Sequence, residues 1–260
     1  MSVCFLIKIQ LDKPANLAVS RISVFLDFIR DTLNRRERGE RREMHNKQPK
    51  LIFLALFLLL AACGGGAAAD VSEQELLLET DFSEVGSWPE SLDMELGTAV
   101  QLTNNGYELS SNSAAYVWSF GEQVYADVAL ETAVQQLSAE HNNAYGLVCR
   151  APSSDSPNGY YFLISGDGLI SIRRVERNLS SPIVDWTPHS AVRQGQRTNQ
   201  LRAICAGEHL LFYVNNQLVA EGTDGRFSEG LAGFAASGSE DGSVQVIFEN
   251  FSIRAAEINR

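Results

Sequence analysis

The sequence predicts an all-β, antiparallel fold for residues 75–257. Apolar and polar residues alternate there with a period of two, turn residues recur every eight to fifteen positions, and no stretch shows sustained helical periodicity. Alternation of this kind places one set of side chains in a core and the other set in solvent, as in half-buried sheets. Sandwiches and barrels of roughly this length commonly form one domain with a complete hydrophobic core.

The chain before this domain contains an apolar run at residues 51–64, LIFLALFLLLAACG. The run is too short to cross the roughly 30 Å hydrocarbon core as a helix, which needs about 20 residues, and it is typical of a bacterial export signal. A buried core helix is the alternative, which the following Gly-Gly-Gly disfavours. The end of the run, Leu60-Ala61-Ala62-Cys63, resembles the lipobox of bacterial lipoproteins. The resemblance implies that Cys63 carries lipid and that the domain lies on the extracytoplasmic side of the bacterial cell envelope.

The position of this segment suggests how the N-terminal part is organised. Met44 precedes two lysines that supply the positive region of a signal peptide, so we expect residues 44–62 to be that peptide. Residues 1–43 are then an over-extended gene model or a disordered extension, and a cytoplasmic extension is the alternative. Residues 63–74 are small and polar, which predicts a flexible tether between the lipid and the domain.

The charge of the chain after the signal peptide is strongly negative. Residues 63–260 contain ten arginines, no lysine and twenty-six acidic residues, a formal net charge of −16. Binding to nucleic acid ordinarily requires clustered basic residues, so this class of partner is excluded. The same balance disfavours electrostatic binding to anionic lipid, which leaves the lipid on Cys63 as the expected contact with the membrane.

Two further cysteines, Cys149 and Cys205, each lie within a predicted strand. In an exported protein a remaining pair most simply forms one disulfide. Two free buried thiols are the alternative. Zinc binding is disfavoured because no second Cys or His lies near either residue at the spacing of a zinc site.

Two strands can be placed in some detail. Val124, Ala126, Val128, Leu130 and Val134 alternate with polar residues, which predicts one strand with a buried and a solvent face. Near the C-terminus the apolar residues change phase after Phe248. One extra residue restores their common face, so we predict a β-bulge near Glu249 and Asn250.

The clearest hairpin covers residues 159–174, GYYFLISGDGLISIRR. A three-residue loop at Gly166-Asp167-Gly168 sets Phe162 opposite Ile172 and Ile164 opposite Ile170, whereas a two-residue loop mixes apolar and polar residues on both faces. Only the first register keeps one face apolar, and it pairs Tyr161 with Arg173 on the other. A second hairpin is predicted to turn at Asn215-Asn216, because asparagine tolerates positive φ.

Residues 81–253 resemble the concanavalin A-like, laminin-G-like jelly rolls of bacterial exported proteins. The matching segments are DFSEVGSW, YGLVCR, NGYYFLISGDGLISI, TNQLRAICAG, LLFYVNNQLVAEGTD, GLAGFAASG and VIFENFSI. The resemblance implies two antiparallel sheets packed face to face with adjacent chain ends. Its members include sugar-binding modules, adhesion domains, glycan hydrolases and the 3-keto-disaccharide hydrolase group. The matching segments are strand and turn signatures, so they identify no catalytic residue.

Catalytic residues are not evident in the sequence. Glycan hydrolysis usually uses two carboxylates, which jelly-roll glucanases carry on one strand as Glu, Asp and Glu separated by one and then two residues. Glu90, Asp93 and Glu95 come nearest to this pattern but have different intervals and follow Trp88-Pro89 in a predicted loop. No nucleophile-elbow sequence occurs, and the histidines lie in polar surroundings where exposure is expected.

One metal site is a weak expectation. Many jelly rolls hold a structural calcium ion between the first and last strands, and oxygen ligands from Glu79, Asp81 and Glu249 would suit Ca²⁺. Ordinary surface carboxylates are the alternative explanation of these residues. No other cofactor is expected.

Ligand binding has better candidate residues. Aromatic faces stack on sugars while planar polar groups hydrogen-bond their hydroxyls, and the candidates on adjacent predicted strands are Tyr145, Arg150, Tyr161, Arg173 and Trp186. A sheet face filled by Tyr and Arg for packing alone is the alternative. We therefore expect a lipid-anchored binding module whose ligand is a carbohydrate or another cell-surface molecule. A hydrolase or lyase acting on glycosides, as in the keto-sugar group, is the second hypothesis, and an adhesion or structural module that binds protein is the third.

Overall fold

The computed structural model describes residues 69–259, apart from residues 85, 87, 115, 240 and 241. Strands make up most of this part. They are β1 Val71–Thr80, β2 Ser91–Asp93, β3 Thr98–Thr103, β4 Gly106–Ser111, β5 Tyr116–Phe120, β6 Val128–Gln136, β7 Ala144–Ala151, β8 Gly159–Ile164, β9 Leu169–Glu176, β10 Leu179–Pro188, β11 Thr198–Ala206, β12 His209–Val214, β13 Gln217–Thr223, β14 Leu231–Ser237 and β15 Val244–Ile258. The predicted extension, signal peptide and lipidated Cys63 lie outside the described residues.

The strands form two antiparallel sheets. The nine-stranded sheet has the order β13-β12-β11-β6-β15-β4-β3-β2, and β1 pairs with the C-terminal half of β15. The six-stranded sheet has the order β10-β9-β8-β7-β14-β5. Apolar side chains from both sheets meet in one core. The prediction of an all-β sandwich is confirmed. Within the described ranges no helix has the length and apolar character that crossing a bilayer requires.

Aromatic rings fill one part of this core. Phe234 of β14 lies 4.2 Å from Phe248 and 4.7 Å from Phe251 between ring centroids, which joins the six-stranded sheet to β15. Trp88 and Tyr107 pack beside them, with centroids 5.5 Å apart. Trp88 is only 6 % exposed and therefore belongs to the core.

The hairpin of β8 and β9 has the predicted register. Phe162 pairs with Ile172, Ile164 with Ile170, and Tyr161 with Arg173. In the loop Gly168 adopts a φ of 93°, a left-handed conformation that glycine reaches without strain. The predicted turn at Asn215 and Asn216 is also confirmed, with φ values of 49° and 65°.

The predicted bulge in β15 is confirmed between Phe248 and Asn250, where the register with β6 shifts. The side chain of Asn250 occupies the disrupted ladder position, because its Oδ1 accepts the backbone N–H of Ala133 at 2.9 Å. The bulge returns Phe251 and Ile253 to the buried face that Phe248 occupies.

Two boundaries differ from the sequence prediction. Strand β6 begins at Val128, not at Val124, which is 61 % exposed. The intervening Tyr125 instead forms an isolated bridge with Gly230, so it belongs to a connection between the sheets. Strand β1 begins at Val71 and pairs with β15 from its first residue. Residues 71–74, which the sequence placed in the tether, therefore lie in the nine-stranded sheet.

The disulfide between Cys149 and Cys205 is present, as predicted. It joins β7 of the six-stranded sheet to β11 of the nine-stranded sheet, and both cysteines are fully buried. The two residues are 56 positions apart in sequence. The bond therefore crosslinks the two layers of the sandwich directly.

Candidate functional site

The face of the six-stranded sheet that points away from the main core carries a second cluster of large side chains. Period-two alternation puts these residues opposite their core-facing neighbours, such as Val117 and Phe162. We call the ring-bearing members of this cluster the aromatic face; they are Tyr116, Trp118, Phe120, Tyr161 and Trp186. Trp118 is 4 % exposed and lies on β5, the edge strand of this sheet.

Two polar groups of the aromatic face are held by nearby backbone. The Tyr161 hydroxyl donates to the Pro157 carbonyl, and the Trp118 indole Nε1 donates to the Ser154 carbonyl at 3.1 Å. Both acceptors belong to the loop between β7 and β8. Burial raises the pKa of the Tyr161 hydroxyl well above its ordinary value, so the group stays a neutral hydrogen-bond donor.

Arg173 lies beside these rings, opposite Tyr161 in the strand pair. Its Nε donates to Ser180 Oγ at 2.7 Å, and its Nη1 lies 3.7 Å from Asp185 Oδ1. Burial raises the pKa of Tyr116, and the positive charge of Arg173 partly counteracts this rise. The structure thus brings together three of the predicted ligand-binding residues, Tyr161, Arg173 and Trp186, on one face.

The other two predicted residues lie on the opposite side of the same sheet. Tyr145 points into the main core and is fully buried. Arg150 is 1 % exposed and follows Cys149, with a φ of 53° that interrupts the alternation of β7. Its side chain therefore lies between the layers and not on the aromatic face.

Four acceptors surround the Arg150 guanidinium. It donates to the carbonyls of Ala126, Gly207 and Phe227 at 2.7–3.0 Å and to Asp127 Oδ1 at 2.7 Å. Burial lowers the pKa of Arg150, and the charge of Asp127 counteracts this effect. Through these contacts the Arg150 side chain joins several loops at one end of the sandwich. The role of Arg150 is therefore structural.

A cavity of about 370 Å³ opens at the β5 edge of the six-stranded sheet. Trp118 and Phe120 line it from the aromatic face, so the two features are continuous. The remaining lining comes from three short segments and two apolar side chains, namely residues 89–91, 119–122 and 154–155 with Val100 and Leu231. Its size is in the range of small-molecule sites, and it combines aromatic surface with polar groups.

Three carboxylates line this cavity, and the sequence analysis did not bring them together. Glu90 is fixed, because its Oε1 accepts the backbone N–H of Leu102 at 2.9 Å. Within the described part of the chain, the exposed side chains of Glu122 and Asp155 form no hydrogen bond or ion pair. The spacing of Trp118, Phe120 and Glu122 could have indicated this site in the sequence, because side chains two positions apart lie on the same face of a strand.

The other candidates from the sequence lie elsewhere. Asp93 closes its own turn, because its Oδ1 accepts the N–H groups of Glu95 and Leu96. Glu79, Asp81 and Glu249 are exposed. Among the described residues no group of three or more His, Cys, Asp or Glu side chains is placed to hold a metal ion. The calcium site thus stays a prediction.

Solved structures with the same layers of strands are known. The chain is similar to the carbohydrate binding module CBM66 from Bacillus subtilis, with 19 % identity, a TM-score of 0.54, and coverage of 65 % of this chain and 96 % of that one. It is also similar to a protein of unknown function with a galectin-like fold from Bacillus subtilis, with 12 % identity, a TM-score of 0.52, and coverage of 74 % and 100 %. A glycosidic hydrolase matches with 10 % identity, a TM-score of 0.50, and coverage of 72 % and 95 %.

The fold is a jelly-roll, lectin-like sandwich. At these identities the likeness establishes the fold and not the ligand. No family model and no curated protein matches the sequence.

Proposed function

We propose that this chain is a lipid-anchored, extracytoplasmic module that binds carbohydrate in the cavity at the β5 edge. The observation that carries the proposal is the lining of that cavity, where the rings of Trp118 and Phe120 meet carboxylate, hydroxyl and backbone groups. The rings are 4 % and 3 % exposed, so their edges offer apolar contact to C–H groups of a sugar, while the polar groups accept and donate hydrogen bonds to its hydroxyls. The similar fold of a carbohydrate-binding module supports this ligand class.

The anchor follows from the sequence. Cys63 would carry the lipid, and residues 64–70 would link it to β1, which starts at Val71. Seven residues span at most about 25 Å when extended, so the sandwich would stay close to the membrane surface. Replacing Cys63 by serine should release the protein from the membrane fraction. Retention of that variant would contradict lipid anchoring without affecting the binding proposal.

Binding is tested with a glycan array and with calorimetry on residues 64–260, which contain both sheets and the disulfide. Trp118→Phe keeps an aromatic ring at this position of the cavity lining, but the ring is smaller and lacks the Nε1 donor. We expect it to weaken binding about tenfold, equivalent to roughly 1.4 kcal/mol. Trp186→Phe is the matched control, because Trp186 is on the same face but does not line the cavity.

The two variants separate the cavity from the rest of the aromatic face. A loss confined to Trp118→Phe supports the cavity, provided that both variants unfold at the same temperature as the native chain. A loss confined to Trp186→Phe would move the site to the surface around Tyr161 and Arg173. The absence of binding to any glycan by the folded protein would refute the carbohydrate-binding proposal.

Glycoside hydrolysis is the second candidate, because Glu90, Glu122 and Asp155 line the same cavity. Glycosidases use a pair of carboxyl groups on either side of the scissile bond. Turnover of an aryl glycoside that is lost in Glu90→Gln or Glu122→Gln, with binding retained, would favour this activity. Binding without turnover by the native chain would favour a binding module.

A further inference from the structure

The charged side chains that line the cavity at the β5 edge are all negative. Glu90, Glu122 and Asp155 contribute carboxylates to its lining, and among the described residues that line it none is Lys, Arg or His. The cavity itself is defined by its volume and by Trp118 and Phe120, so the carboxylates determine which ligands it favours and not whether a site exists. A ligand in the cavity therefore lies next to these negatively charged carboxylates.

Two of these carboxylates are available to a ligand. Glu122 and Asp155 are exposed, and in the part of the chain that the structure describes neither side chain is engaged by a hydrogen bond or an ion pair. The arginines at the same end of the sandwich have other partners: Arg150 is bonded to Asp127, Arg174 to Asp224, and Arg226 to Glu176. Among the described residues Arg177 remains as an exposed cation at this end, where its backbone N–H donates to Asn158 Oδ1, but it does not line the cavity.

We infer that the cavity selects glycans that carry a free amine, such as oligomers of deacetylated hexosamine, over neutral and acidic ones. The inference rests on the proposed function and specifies its ligand class. An ammonium group bound beside Glu122 or Asp155 gains a charge-assisted hydrogen bond, whereas a uronate in the same position would be repelled. The sugar ring bearing that amine would contact the exposed edge of Trp118, as the ring of a neutral sugar would.

The test compares β-1,4-linked glucosamine tetramer with cellotetraose, which has the same linkage but a hydroxyl in place of each amine. Calorimetry near pH 5.5 keeps the amines of the tetramer protonated. At about 20 mM salt we expect the amino tetramer to bind at least fivefold more tightly. The advantage should shrink to about twofold or less at roughly 0.5 M salt, because partly exposed charges are screened.

Variants assign the preference to the cavity. The double change Glu122→Gln with Asp155→Asn should bring the ratio of the two dissociation constants to about one, because the two exposed side chains are then neutral toward both tetramers. Glu229→Gln is the control, since Glu229 is exposed but does not line the cavity, and it should leave the preference unchanged. Trp118→Phe should weaken both tetramers alike.

The outcomes distinguish this inference from the proposed function. Trp118-dependent binding of cellotetraose with no advantage for the amino tetramer would overturn the inference and leave carbohydrate binding intact. A preference that persists in the double variant, or binding of the amino tetramer that Trp118→Phe does not weaken, would overturn it as well, because general attraction to an acidic surface would then explain it. Failure of the folded protein to bind any glycan on the array would refute both.

Discussion

Replacing Arg150 by methionine should destabilise the sandwich strongly. The substitution keeps an extended apolar stem but removes a guanidinium that is 1 % exposed and donates to three backbone carbonyls. A buried acceptor that loses its donor costs about 1 kcal/mol or more, so three carbonyls account for roughly 3 kcal/mol. Asp127 adds less than about 1 kcal/mol, because its side chain is 46 % exposed and regains water.

The expected loss of about 3–4 kcal/mol can be measured by urea unfolding, followed through tryptophan fluorescence. With a denaturant slope of about 2 kcal/mol per molar, the midpoint should fall by roughly 1.5–2 M. Arg226→Met is the matched control, because Arg226 is 53 % exposed and its ion pair with Glu176 lies at the surface. It should lower the midpoint far less than Arg150→Met, because the partners of a solvent-exposed ion pair regain water. Equal losses for the two variants would show that the Arg150 contacts do not stabilise the fold as argued.

Three further predictions concern the rest of the domain. Replacing Cys149 and Cys205 together by alanine should lower the unfolding free energy by roughly 4 kcal/mol, since the bond closes a loop between residues 56 apart; urea unfolding that detects a loss below about 1 kcal/mol would contradict the loop-entropy argument. Gly168→Ala should cost about 1–2 kcal/mol in the same assay, because the φ of 93° strains any side chain, and an unchanged midpoint would be inconsistent with that conformation. Burial raises the pKa of Asp224, but the Tyr160 hydrogen bond, a backbone N–H and a neighbouring arginine outweigh burial and lower its pKa overall. Its contribution should therefore be present above the unfolded pKa near 3.8 and disappear as the pH falls through the folded value, so the stability gap between the native chain and Asp224→Asn should narrow from pH 5 to pH 2, and a constant gap would refute the coupling.

Much of the fold could be predicted because each strand faces only two environments. In the hairpin of β8 and β9, only one register keeps Phe162, Ile164, Ile170 and Ile172 on a single apolar face, and this register is observed. The bulge before Asn250 was visible for the same reason, since a change of phase in the apolar residues requires one extra residue. Patterns of this kind depend on local sequence and need no knowledge of the partner strand.

The candidate site was harder to predict because it depends on backbone conformation and on distant loops. Alternation along β7 would place Arg150 on the face opposite Cys149, but a φ of 53° turns its side chain toward the core. Nothing in the sequence around Arg150 predicts that backbone conformation, because arginine has no particular preference for it. Tyr145 is different: its aromatic ring suggested a ligand contact, although its strand phase matches that of the buried Leu147 and Cys149.

The cavity shows why the edge of a sheet is the place where this fold can acquire a ligand. Rings at the centre of the aromatic face, such as Tyr161, are fully buried and have their polar atoms bonded to the loop between β7 and β8. At the β5 edge the ladder ends, so Trp118 and Phe120 are flanked by loops that carry Glu90, Glu122 and Asp155. Because these carboxylates lie in loops, they can be substituted without disturbing either sheet. The buried rings therefore form a rigid wall of the cavity, and under the proposed function the surrounding loops would determine which sugar is bound.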